Sequence, residues 1–130
     1  MEPMANLHLS WRIKSPVEKV WQALVDPTEI DEWGAGPCEM DDQVGTEFEL
    51  WGGQIYGKNL EVVPHERLTQ EWYGGEWKEP SNLVISLMEE GQGTTVAIDQ
   101  ENIPDDELED IKKGWDEYYF DPIKEYLEEK

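Results

Sequence analysis

The sequence predicts an α+β fold: a curved antiparallel sheet of about six or seven strands wrapped around one long C-terminal helix, with two short helices after the first strand. Three observations carry this prediction. Residues 7–13 alternate apolar and polar, as a half-buried strand does. From Pro37 to Ile103 short alternating runs are separated by glycine or proline, the pattern of an antiparallel meander. Beyond Ile103 apolar residues recur at steps of three and four, which marks one face of a helix. A strand, helices, a meander and a closing helix make an α+β order.

In the first strand Leu7, Leu9, Trp11 and Ile13 face one way and His8, Ser10, Arg12 and Lys14 the other. Ser15-Pro16-Val17-Glu18 then reads as a helix start, with serine as cap, proline at the first helical position and glutamate closing a capping box. Val17, Val20, Trp21 and Leu24 form the apolar stripe of that helix. Asp26-Pro27-Thr28-Glu29 repeats the pattern, so a second short helix carries Ile30 and Trp33 until Gly34 and Gly36 stop it. The strands of the meander are expected at 46–51, 56–63, 67–73, 82–88 and 94–100, with a weaker one at 38–40. Gly52-Gly53, Gly74-Gly75 and Gly91-Gln92-Gly93 fall between strands and read as hairpin turns; a phosphate cradle needs a strand-to-helix setting. Ile103-Pro104-Asp105-Asp106 opens the last helix, with acidic residues where the helix dipole favours them. Its apolar face holds Leu108, Ile111, Trp115, Tyr118 or Tyr119, Pro122 or Ile123, and Tyr126. Glu109, Asp110, Lys112, Lys113, Asp116 and Glu117 form the solvated face, and Pro122 is expected to kink the helix into two unequal halves.

A length of 130 residues fits one domain spanning 1–130. Ten basic against 31 acidic residues leave a net charge of −21, which excludes nucleic acid and anionic membrane surfaces as partners. Such charge with a mean hydropathy of −0.74 could describe a disordered chain, but seven Trp, five Tyr and two Phe spread along it supply a core. The lone Cys38 forms no internal disulfide, and Met1-Glu2-Pro3-Met4 has neither the basic region nor the apolar run of a signal peptide. No stretch approaches a membrane span, so a cytoplasmic setting is expected.

Catalytic motifs are absent. His8, His65 and Cys38 match no zinc spacing, Asp41-Asp42 and Asp105-Asp106 lack the calcium-loop pattern, and neither a metal nor a cofactor is expected. With two histidines in the chain no nucleophilic triad can be assembled from sequence. The aromatic residues say more. Phe48, Leu50, Trp72, Ile85, Trp115 and Tyr119 converge between the sheet and the long helix, either as a filled core or as the lining of a cavity for a small hydrophobic ligand. Trp33, Trp51 and Trp77 fall at a helix end, a strand end and a loop, as exposed anchors for a protein partner or as packing under loops.

These segments resemble the C-terminal domain of the activators of the heat-shock protein 90 ATPase, within the helix-grip superfamily (START and birch-pollen-allergen-like, SRPBCC). The resemblance runs through residues 15–27, through Gly45-Thr46-Glu47-Phe48-Glu49-Leu50-Trp51-Gly52-Gly53, and through Leu60-Glu61-Val62-Val63-Pro64. It continues in Glu71-Trp72, Trp77, Gly93-Thr94-Thr95 and Ile103-Pro104, and is most specific in Gly114-Trp115-Asp116-Glu117-Tyr118-Tyr119-Phe120. It implies a helix-grip fold and a non-enzymatic binding protein with a heat-shock protein 90 type chaperone as partner; the wider superfamily implies the alternative of a small hydrophobic ligand. Two departures are specific. The additional N-terminal domain of the eukaryotic activators has no counterpart in these residues. Trp77-Lys78-Glu79-Pro80-Ser81 stands where the family commonly has Trp-Pro-x-Gly-His, so a role resting on that histidine does not carry over.

Overall fold

The computed structural model describes residues 4–74, 77 and 79–128. The chain runs β1 (Met4–Ile13), α1 (Val17–Val25), α2 (Pro27–Trp33), β2 (Glu47–Leu50), β3 (Ile55–Val63), β4 (Arg67–Gly74), β5 (Ser81–Glu90) and β6 (Gly93–Pro104). A 3-10 turn at Asp105–Glu107 leads into α3 (Leu108–Gly114), a π-helical segment (Trp115–Phe120) and α4 (Asp121–Glu128). The strands form one antiparallel sheet in the order β1-β6-β5-β4-β3-β2, curved around the C-terminal helix.

Alternation along each strand becomes rows of side chains across the inner face. One row is Phe48, Gly57 and Trp72; the next is Asn59, Gln70, Leu83, Gln100 and Leu7; a third is Val62, Leu68, Ile85, Ile98 and Leu9. Register shifts between Asn59 and Glu61 in β3, and between Ala5 and Leu7 in β1, bend the sheet. Gly57 is required by this packing: a Cβ there would run into the Glu71 carbonyl oxygen and sit 3.1 Å from the Phe48 ring. Its missing side chain lets Phe48 and Trp72 approach, with ring centroids 6.3 Å apart.

Several local expectations change. The weak strand at 38–40 is a single bridge, Glu39 to Glu49, and β6 runs on to Pro104 because Met4 and Ala5 pair with Pro104 and Ile103. Ser15 does not cap α1. The helix begins at Val17 with Pro16 before it, and Ser15 is buried, its carbonyl accepting from Thr94 Oγ1 at 2.8 Å. Asp26 does cap α2, accepting from the Thr28 backbone N–H at 2.9 Å, and Gly34 ends it with a φ of 117°. The Gly74-Gly75 turn extends, with Lys78, into residues outside those described.

Pro122 does not cut the last helix into two kinked halves. It is the second residue of α4, and the irregularity lies upstream in the π-helical turn. Pro122 has no N–H for the carbonyl of Tyr118 and its ring crowds that carbonyl, so a widened turn immediately before it relieves both problems. The π segment also brings Trp115, Tyr119 and Phe120 into the core together. Phe120 stacks on Trp11 at 4.2 Å, and Trp33 meets Tyr119 at 5.0 Å. Among the described residues no helix is long and apolar enough to cross a membrane.

Candidate functional site

Strand β4 turns Gln70 and Trp72 onto the same inner face. The Trp72 indole N–H donates to Gln70 Oε1 at 2.8 Å, and Gln70 Nε2 donates to Asn59 Oδ1 at 2.8 Å. Asn59 Nδ2 in turn donates to the carbonyls of Asp41 and Gln43 at 3.0 and 3.2 Å, which fixes the loop before β2. From the helix, the Trp115 N–H donates to Gln100 Oε1 at 2.9 Å. The two indoles stack, centroids 4.8 Å apart and planes 26° from parallel. Gln100 Nε2 is buried with no partner among the described residues.

Beside this pair opens a cleft of about 410 Å³. Trp72 and Tyr119 form its floor with Trp115; Trp51, Gln54 and Ile55 form the sheet wall; Asp110, Ile111, Gly114 and Tyr118 form the helix wall. Trp51 is held there at some cost: its φ is +50°, in the left-handed region that bulky residues avoid by roughly 1–2 kcal/mol. Its backbone N–H donates to Ala35 O at 2.8 Å and its indole N–H to Gly34 O at 3.1 Å, so the α2 end pins it from two sides. Strain maintained in this way is common at binding sites.

The indole N–H groups of Trp51, Trp72 and Trp115 are all consumed by the protein, so these side chains offer the cleft ring carbon only. Polar side chains at the lining are Gln54, Asp110 and the two tyrosines. Burial raises the Tyr119 hydroxyl well above the usual tyrosine range, so it stays neutral. The described lining holds no Ser, Cys, His or Lys.

Of the residues the sequence reading placed along a ligand cavity, the cleft brings together Trp72, Trp115 and Tyr119. Phe48, Leu50 and Ile85 are sealed in the core, at 1%, 1% and 0% exposure, and do not line the cleft. The three tryptophans considered as partner anchors do not share a surface. Trp33 is buried, its N–H donating to Ala23 O at 2.8 Å; Trp51 is half-buried in the cleft wall; Trp77, half-buried, donates to Glu107 Oε2 at 2.6 Å. Asp110, read as part of the solvated face, borders the cleft, and Gln54, Ile55 and Gly114 were not singled out for a site. A glycine inside a helical pattern was the available signal, since such a residue usually has a packing or functional reason.

A six-stranded sheet gripping a C-terminal helix, with an aromatic cleft at one end of their contact, defines a helix-grip domain. The chain belongs to the family described as Activator of Hsp90 ATPase homolog 1-like protein, whose model matches residues 14–128. It is 29% identical over 113 residues to the activator of 90 kDa heat shock protein ATPase homolog of Dictyostelium discoideum, covering 85% of this chain and 29% of that protein. It is 24% identical over 129 residues to homolog 2 of Mus musculus, covering 97% of this chain and 39% of that one. The chain thus spans about a third of the length of these curated relatives. Among solved structures, PFC0360w, an HSP90 activator from Plasmodium falciparum, superposes with a TM-score of 0.86 at 22% identity, covering 94% of this chain and 95% of that one. CalU16 from Micromonospora echinospora superposes with a TM-score of 0.82 at 26% identity, covering 98% and 85%.

Proposed function

We propose that this domain is a non-enzymatic binding module whose aromatic cleft takes a small apolar ligand, with Trp51, Trp72, Trp115 and Tyr119 as the contact residues. The carrying observation is the cleft itself: about 410 Å³ of space walled by indoles that direct every N–H back into the protein. That volume lies within the usual range of small-molecule sites. The test is the fluorescence of the neutral probe N-phenyl-1-naphthylamine with wild type and Gly114→Leu. A Cβ at Gly114 meets the Tyr118 ring at an ordinary 3.9 Å, and a leucine side chain there is expected to extend into the cleft that Gly114 lines. Saturable enhancement that Gly114→Leu weakens at least tenfold, with circular dichroism unchanged, supports the reading; no saturable enhancement in wild type refutes it.

A second reading is a chaperone-associated role, favoured by the family match and by relatives that are named activators of the 90 kDa heat shock protein ATPase. On this reading the partner's apolar side chain enters the same cleft against Trp51, and the acidic field sets orientation. A cytoplasmic setting suits both readings. Pull-down and ATPase measurements with the host's own chaperone decide the second: no binding at low salt and no change in rate count against it.

A further inference from the structure

Resting on the ligand-binding reading, we infer that the cleft selects an organic cation, a protonated or quaternary amine carrying an aromatic or alkyl body. Aromatic faces carry the negative end of the ring quadrupole, and the half-buried Trp51 and exposed Tyr118 rings of the lining favour a cationic group over a neutral one of equal shape. Among the described residues that line it, Asp110 holds the formal charge. The lysines of the same helix are exposed and absent from the lining; Lys113 leans toward Glu117, 3.8 Å away. Carboxylates abound in this chain, so Asp110 alone would say little; its setting says more. Gly114 follows it by one turn and Tyr118 by two, and the missing side chain at Gly114 leaves space between a carboxylate and an exposed ring. A cationic head there lies against the Tyr118 ring, with the Asp110 carboxylate on the same wall of the cleft. The net charge of −21 acts in the same direction, concentrating cations at the surface and repelling anionic amphiphiles such as fatty acids.

The test is a set of three titrations at low ionic strength, followed by tryptophan fluorescence: benzyltrimethylammonium, its neutral isostere neopentylbenzene, and the anion 3-phenylpropionate. The cation should bind about tenfold more tightly than the isostere, and the anion should not bind. Asp110→Asn should lower the preference for the cation about fivefold and leave the isostere unchanged, whereas Glu18→Gln, an exposed change on α1, should alter none of the three. Equal binding of cation and isostere overturns the cation preference and leaves the cleft reading standing. A preference that Asp110→Asn does not change overturns the assignment to Asp110. No binding of any probe overturns this inference and the ligand reading together.

Discussion

The rings of Trp72 and Trp115 stack with centroids 4.8 Å apart, and each turns its N–H away from the other to a buried glutamine. One ring belongs to the sheet and the other to the C-terminal helix, so the pair fixes where the helix lies and forms the inner end of the cleft. Its two glutamines are not equivalent.

Gln70→Leu leaves the Trp72 indole N–H and the Asn59 side-chain Oδ1 buried without these partners, since Gln70 serves both. A cost of about 2–4 kcal/mol is expected in urea unfolding. Gln100→Leu orphans the Trp115 N–H but also removes an amide nitrogen that already has no partner among the described residues. Its cost should be smaller by about 1 kcal/mol or more. Equal losses for the two variants would contradict the network as drawn.

Two glycines should respond in opposite directions to the same substitution. Gly57→Ala drives a methyl group into the Glu71 carbonyl and should destabilise by about 2 kcal/mol or more. Gly114→Ala adds a methyl group at ordinary contact distance from the Tyr118 ring on a helix and should stabilise by roughly 0.5–1 kcal/mol. Denaturant midpoints of the two variants measure both effects.

Cys38 should be unreactive. Its thiol donates to Pro27 O at 3.4 Å, and burial, then the charge and hydrogen bonding of Asp31, then Asp26, push its pKa from 9.0 up to about 11. The folded state therefore holds the proton more tightly than the unfolded chain, so this contribution to stability is complete below pH 9 and is lost as pH rises toward about 11. Iodoacetamide labelling of the folded protein should show a midpoint near that upper value, and Cys38→Ser should remove the corresponding fall in stability. A labelling midpoint near 9 would exclude the shift.

Salt should stabilise the fold. Glu47, Glu49, Glu61, Asp110 and Glu117 are all exposed on a chain of charge −21, so folding gathers like charge that added ions screen. The melting temperature should rise by at least about 3 °C between low and molar salt. A flat or falling curve would contradict this.

Most of the fold was legible in the sequence because strand alternation and helix stripes are local signals. The register Phe48, Gly57, Trp72 follows from alternation once the hairpins are placed. The site was legible only in part. Trp72, Trp115 and Tyr119 were found through their periodicity, but the same periodicity selects Phe48, Leu50 and Ile85, which lie on the same inner face and outside the cleft lining. Whether an inward residue meets space or another side chain depends on the helix register, and the π turn at Trp115–Phe120 sets that register. Trp51 escaped for a related reason: its left-handed backbone reverses the side expected of a strand end.

The most direct test of the cleft as a binding site is a 15N NMR titration of the full chain with N-phenyl-1-naphthylamine. The account predicts saturable shifts of the Trp51 and Trp115 indole signals and the Gly114 amide, little change at the α1 residue Trp21, and loss of the two indole shifts in Gly114→Leu. Shifts confined to the outer face of the sheet, around Tyr56 and Tyr73, or shifts that persist unchanged in Gly114→Leu, would contradict it.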